Sequence, residues 1–210
     1  MGSKERRQRE KEQRRAVIVE AARTIFLQKG IEHTTMQDIA MEAELSKAAI
    51  YLYFRSKEEL TFEMLYLSFI KIDHLIQSAA LQGNTGYEKL LHAAEEFKRF
   101  YREQPEYVYF TFIMERYADS IAREKPATRR CMQLINNIQK TIVALLKQGI
   151  EDRSIRQDLD AEKTAVLFLH LVPIFMQRVS TMHKILGKQS SYEPDELVEE
   201  MFTVFLYSLH

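Results

Sequence analysis

Apolar residues recur at three- and four-residue spacing along most of the chain, and polar or Gly/Pro-containing breaks divide the pattern into helices. The first packed helix is predicted from about Arg14 to Lys29. It carries Val17, Ile18, Ala21, Ala22, Ile25 and Phe26 on one face, and Gly30 provides a left-handed cap. Between residues 34 and 60 three N-cap signals fall close together. Thr35 stands three residues before Asp38, Ser46 opens a short helix, and Ser56 stands three residues before Glu59. Ile39, Ala40 and Ala43 give the first short helix an apolar face. Glu44 and Leu45 make the turn. Ile50 and Phe54 anchor a second helix expected to reach about Phe54. Two corners this close make a helix-turn-helix. Periodicity alone leaves an ordinary helical hairpin with a solvated face equally open.

A fourth helix is predicted from Ser56 to about Ala80, with no Pro or Gly inside it and Phe62, Leu65, Phe69, Ile72 and Ile76 on one side. Gly83–Gly86 is a loop. The next helix, from about Tyr87 to Arg102, turns Leu90, Leu91, Ala94, Phe97 and Tyr101 inward. Residues 107–114 are apolar or aromatic nearly all round, so periodicity does not separate strand from buried helix; helix is chosen because no partner strand is evident elsewhere. A long helix to about Glu151 carries Met132, Ile135, Ile138, Ile142, Leu145 and Leu146. Residues 165–176 are apolar apart from His170, which predicts a helix buried on every side, kinked at Pro173 and too short to span a bilayer. Pro194 opens a last helix with Val198, Met201, Phe202, Phe205 and Leu209 in one stripe.

Composition sharpens the class. Four Pro and six Gly in 210 residues, among strong helix formers, favour an all-α chain. The zero net charge conceals a division: residues 1–57 hold 12 Lys and Arg against 8 Asp and Glu, and the remainder is correspondingly acidic. A basic head on an acidic body suits a phosphate partner at one end. Residues 4–15, with seven bases, three acids and no apolar residue, are expected to be frayed or helical only when docked. They read as a solvated arm or as an arm lying on phosphates, and their position favours the latter. The lone Cys131, expected to be buried or half-buried, builds no internal disulfide and fits a reducing cytoplasm.

Enzymatic constellations are missing from the sequence: no Gly-rich phosphate loop, no HExxH, no CxxC and no nucleophile elbow. Glu88 and His92 read as a solvated pair rather than a metal site, and His170 as a satisfied core histidine. No catalytic residue, metal or cofactor is therefore expected.

The pieces Thr34-Thr35, Asp38-Ile39-Ala40, Ser46-Lys47, Tyr51-Leu52-Tyr53-Phe54 and Ser56-Lys57-Glu58-Glu59-Leu60 together resemble the DNA-binding domain of the TetR family of transcriptional repressors. Two positions depart from the pattern: Ala48, where the family often has Gly, and Ala49, where it often has a hydroxyl residue. The base preference of relatives therefore does not transfer. The resemblance implies a basic arm and three-helix helix-turn-helix head over residues 1–60, and a larger helical-bundle body for ligand binding and dimerisation over 61–210. It implies a cytoplasmic regulator acting as a homodimer on a double-stranded, pseudo-palindromic operator. Thr35, Ser46, Lys47, Ala48, Ala49, Tyr51, Tyr53 and Lys57 are the implied DNA contacts, with Thr35, Tyr53 and Lys57 on phosphates. It implies a hydrophobic small-molecule effector, for which Phe97, Tyr101, Phe110, Met114, Tyr117, Phe168 and His170 are the candidate residues, and pairing of the last two helices with their symmetry mates. A helical enzyme with an apolar cavity and a helical protein-binding adaptor are the other readings; the missing catalytic groups weigh against the first.

Overall fold

A computed structural model of the chain describes residues 2–111, 126–186 and 192–210. They form α1 (Ser3–Lys29), α2 (Met36–Glu42), α3 (Lys47–Tyr51), α4 (Lys57–Ala79), α5 (Gly86–Glu103), α6 (Pro105–Thr111), α7 (Pro126–Glu151), α8 (Ala161–Leu186) and α9 (Pro194–Tyr207), with no strand among the described residues. The fold is all-α, as expected. The chain divides into two compact units, Met1–Tyr66 and Leu67–His210.

In the first unit α1 begins at Ser3, not near Arg14, so the expectation of a frayed arm is corrected. Lys, Arg, Glu and Gln are good helix formers. Arg6 pairs with Glu10 at 3.4 Å, Gln8 donates to Glu12 at 2.7 Å, and the Gly2 N–H donates to Glu5 at 3.2 Å, so the polar turns support one another locally. Further along, Ile18, Ala21, Ala22, Ile25 and Phe26 are buried as expected. Val17 is exposed, and Val19 takes the inward position instead. Gly30 ends α1 at φ 77°, ψ 156°, with its N–H on the Phe26 carbonyl. That is not the left-handed helical cap expected but an extended region at positive φ that is essentially closed to residues with a Cβ.

Thr35 caps α2 through a reciprocal pair: its Oγ1 accepts from the Asp38 N–H at 3.1 Å, and Asp38 Oδ2 accepts from the Thr35 N–H at 2.9 Å. Glu44, at φ 53°, makes the corner. Ser46 caps α3 by accepting from the Ala49 N–H at 3.1 Å. The helix ends at Tyr51 rather than Phe54. Phe54 is nonetheless fully buried, together with Ile50 and Leu60. Ser56 accepts from the Glu59 N–H at 3.3 Å, while the Glu59 carboxylate reaches one residue further back, to the Arg55 N–H at 2.7 Å.

In the second unit α5 packs on α7, α7 on α8, and α9 on both α8 and α5. Gly86, the first residue of α5, lies against the backbone of α7. A Cβ there would stand 2.1 Å from the Gly149 nitrogen and 2.4 Å from the Leu145 carbonyl oxygen. The free amides of this helix start are met from the turn after α7: Gly86 N–H donates to Asp152 at 2.8 Å and Tyr87 N–H to Ser154 at 3.1 Å. Leu90, Ala94, Leu146, Met176 and Phe202 form the main core. Cys131 is buried, and its neighbour Met132, expected inward, is exposed. Residues 107–111 are helical, in α6; residues 112–114 lie outside the described residues.

α8 differs from expectation in two ways. It is longer than its apolar run, and the stretch Ala161–His183, at mean hydropathy 1.4, is long and apolar enough by length and composition to cross a membrane. Nor is it buried on every side. Ala165, Val172 and Met176 are buried, but Val166, Leu167, Leu171 and Ile174 are exposed, because no other element of the described chain covers that face. His170 shares this exposure and is not a core histidine. The α9 stripe is corrected in the opposite sense. Val198, Phe202 and Leu209 fill the chain's own core, and Val204 and Tyr207 are the exposed apolar residues of α9.

Candidate nucleic-acid interface and ligand cavity

In the first unit the short α3 is held from behind and free in front. Ile50 is fully buried, whereas Ser46, Lys47, Ala48 and Tyr51 are exposed and Ala49 is half-buried. Arg15 of α1 braces this arrangement. Its guanidinium lies 4.1 Å from the centroid of the Phe54 ring, donates to the Tyr53 carbonyl at 3.3 Å and pairs with Glu63 at 2.7 Å. Arg15 was placed in the basic arm by sequence, but it works as an internal clamp that fixes the end of α3 against α1 and α4. Its only sequence signal was its place at the border of the apolar pattern.

The remaining head residues expected at DNA are distributed around this helix. Thr35 is exposed at the start of α2, with its hydroxyl also donating to Asp38 at 2.8 Å. Lys29 pairs with the other Asp38 oxygen at 2.6 Å. The Lys29 bond and the two Thr35 bonds hold the Asp38 carboxyl at about 2, well below the usual range. Tyr53 is half-buried. Lys57 turns its ammonium to the carbonyls of Ile31 at 2.7 Å and Glu32 at 3.1 Å, tying the loop before α2 to the start of α4. An ammonium has three donors, so one remains for a phosphate.

The second unit contains a cavity of about 310 Å³. Phe69, Ile72 and Ile76 of α4 line one side; Leu90, Ala94 and Phe97 of α5 line another; Ile138, Gln139 and Ile142 of α7 and Phe168, Leu169, His170, Val172, Pro173 and Ile174 of α8 complete it with Phe202 of α9. Thr111, Gln139 and His170 are its polar lining side chains among the described residues. Of the aromatic and histidine candidates, Phe97, Phe168 and His170 line the cavity. Phe110 does not; it is fully buried, edge-on to Tyr109. Tyr101 is also elsewhere, bonded to Ser180, and burial pushes its phenol above the ordinary value. Met114 and Tyr117 lie outside the described residues. Gln139 was missed by sequence because a single amide on a helix face carries no periodic signal.

A braced helix-turn-helix with a free second helix, followed by an all-helical body, is the arrangement of helix-turn-helix DNA-binding regulators. Residues 18–64 match the family model for bacterial regulatory proteins of the tetR family. The uncharacterized HTH-type regulator YfiR of Bacillus subtilis is 50% identical over 50 residues, a stretch covering 24% of this chain and 24% of YfiR. The HTH-type transcriptional repressor KstR2 of Mycolicibacterium smegmatis is 28% identical over 155 residues, 71% of each chain. The fold of the whole chain is similar to that of FadR from Bacillus subtilis, solved in complex with stearoyl-CoA. The TM-score is 0.66 at 15% identity, covering 93% of this chain and 99% of FadR. Residues 18–64 thus carry a tetR-family DNA-binding head, and the whole chain has the fold of solved TetR-family regulators.

Proposed function

We propose that this chain is a cytoplasmic, ligand-responsive transcriptional repressor that binds a pseudo-palindromic duplex operator as a homodimer and responds to a hydrophobic small molecule. The observation that carries the reading is the N-terminal face of α3, with Ser46, Lys47, Ala48 and Tyr51 exposed and Ala49 half-buried, on a core fixed by Ile50, Phe54 and Arg15. A second helix so placed enters a major groove with its first residues on base edges. Lys47 contributes charge and Tyr51 a hydroxyl, while Ala48 and Ala49 meet thymine methyls without hydrogen bonding. Thr35, Tyr53 and the third donor of Lys57 take phosphates.

The uncovered apolar faces of α8 and α9 support the dimer, and a two-fold symmetric reader takes a pseudo-palindrome with half-sites about one helical turn or a multiple of it apart. The cavity supports the effector, as does the acyl ligand of FadR. α4 supplies cavity residues and begins with Lys57, so an effector that prefers one placement of α4 changes operator affinity. Selection from a random duplex pool, followed by binding across a salt series, tests the reading. A palindromic consensus and salt-sensitive binding are expected, and Ala49→Arg should change the consensus. An unchanged consensus moves the reading face elsewhere; no salt-sensitive binding to any duplex refutes the function.

A further inference from the structure

We propose that the helical hydrogen bond missing from α8 at Pro173 makes the Leu169 carbonyl the polar anchor of the cavity, selecting apolar ligands that carry one hydrogen-bond donor, such as a medium-chain alcohol or a phenol. The inference rests on the reading of the cavity as an effector site. Proline has no N–H, so the Leu169 carbonyl lacks the donor that an interior helical carbonyl receives from four residues on. Leu169 and Pro173 both line the cavity, so the missing bond between them borders it. Around them the lining is mainly Ile, Leu, Val and Phe, where an unmatched carbonyl is costly and a matching donor is rewarded.

Gln139, on α7, lines the same cavity with an amide that both donates and accepts. A ligand hydroxyl can therefore donate to Leu169 and accept from Gln139. An ether can only accept, and a carboxylate would set lone pairs against the carbonyl's own. Size narrows the class further. A cavity of about 310 Å³, at roughly 30 Å³ for each water-sized group, holds about ten non-hydrogen atoms.

The test uses the full chain and three probes: 1-decanol, its isomer 1-methoxynonane, and decanoate, each titrated by calorimetry and checked by melting temperature. Decanol is expected to bind at least about tenfold tighter than either of the others. Pro173→Ala restores an N–H to the Leu169 carbonyl and removes a helix breaker, so the helix is retained. It should erase the decanol advantage over the ether. Gln139→Leu should weaken decanol and the ether together, because both can accept from its amide, and leave the backbone untouched. Equal binding of decanol and ether by the wild type, or a decanol advantage that survives Pro173→Ala, overturns the anchor while leaving the cavity as an effector site. If no probe binds, the anchor and the effector reading of the cavity fall together.

Discussion

The dimer makes the most demanding prediction, and the structure moves its test from α9 to α8. Val166, Leu167, Leu171 and Ile174 stand 40–52% exposed, and Val204 and Tyr207 of α9 stand 60% and 80% exposed. Fully burying one such side chain is worth about 1.5–3 kcal/mol, so covering the exposed half of Leu171 is worth about 1 kcal/mol per protomer and about 2 per dimer. Leu171→Glu forfeits that and leaves two unpaired carboxylates in an apolar interface, each costing several kcal/mol. A total above about 5.5 kcal/mol raises the dimer dissociation constant at least about 10⁴-fold. Sedimentation velocity at micromolar concentration should show a wild-type dimer and a Leu171→Glu monomer with unchanged helicity, and operator binding should be lost with the dimer. Phe202→Glu should behave differently, since Phe202 is 5% exposed within its own chain; it should unfold the body rather than separate two folded ones. A dimeric Leu171→Glu, or a monomeric wild type at that concentration, refutes the assignment of this face.

Three further predictions concern the head and the body. Lys57→Ala should weaken operator and random DNA alike, lower the slope of log affinity against log salt by about one, and lower the head's melting temperature through the lost ties to Ile31 and Glu32; a loss confined to the operator would contradict the phosphate role. Asp38 has a folded pKa of about 2 against 3.8, so its contribution is present above the higher value and lost as pH falls through the lower one. Asp38→Asn should accordingly flatten the acid limb of the head's stability in that window, and an unaltered limb in pH-dependent unfolding would dismiss the network. Gly86→Ala, which in an open helix would stabilise by about 1 kcal/mol, should instead lower the melting temperature of the body, because the added carbon meets α7 backbone at 2.1 Å; a raised melting temperature would show that the crossing can open without cost.

The head was legible because its information is local. Each cap is written within four residues, and Thr35, Ser46 and Ser56 all accept the bonds their spacing predicted. What failed there was non-local. Arg15 sits among bases that look alike in sequence, and only the fold brings it over Phe54. In the body, helical periodicity reveals that a face is apolar but not what covers it. The α9 stripe containing Phe202 and the α8 face containing Leu171 are written in the same residues, yet the first is filled by α5 and α8 and the second is covered by none of the described elements. The aromatic run divides for a related reason: Phe110 is buried edge-on to Tyr109 and Tyr101 is bonded to Ser180, while the cavity is lined largely by Ile, Leu and Phe, with Phe97 and Phe168 among them.

The contact between Gly86 and Gly149 limits how the body can move. Two helices whose backbones touch, with the amides of one fastened to Asp152 and Ser154 at the end of the other, cannot slide along each other. They can only pivot, with the contact as the pin. α5 has 18 residues and, at 1.5 Å each, extends about 27 Å from that pin. A tilt of about 3° there displaces its far end by about 1.4 Å, while Leu90, nearest the pin among its cavity residues, moves only a fraction as far. A molecule that wedges the cavity open near Phe97 therefore works on a longer arm than one seated near Leu90. Two ligands of equal affinity need not be equal in the motion they produce.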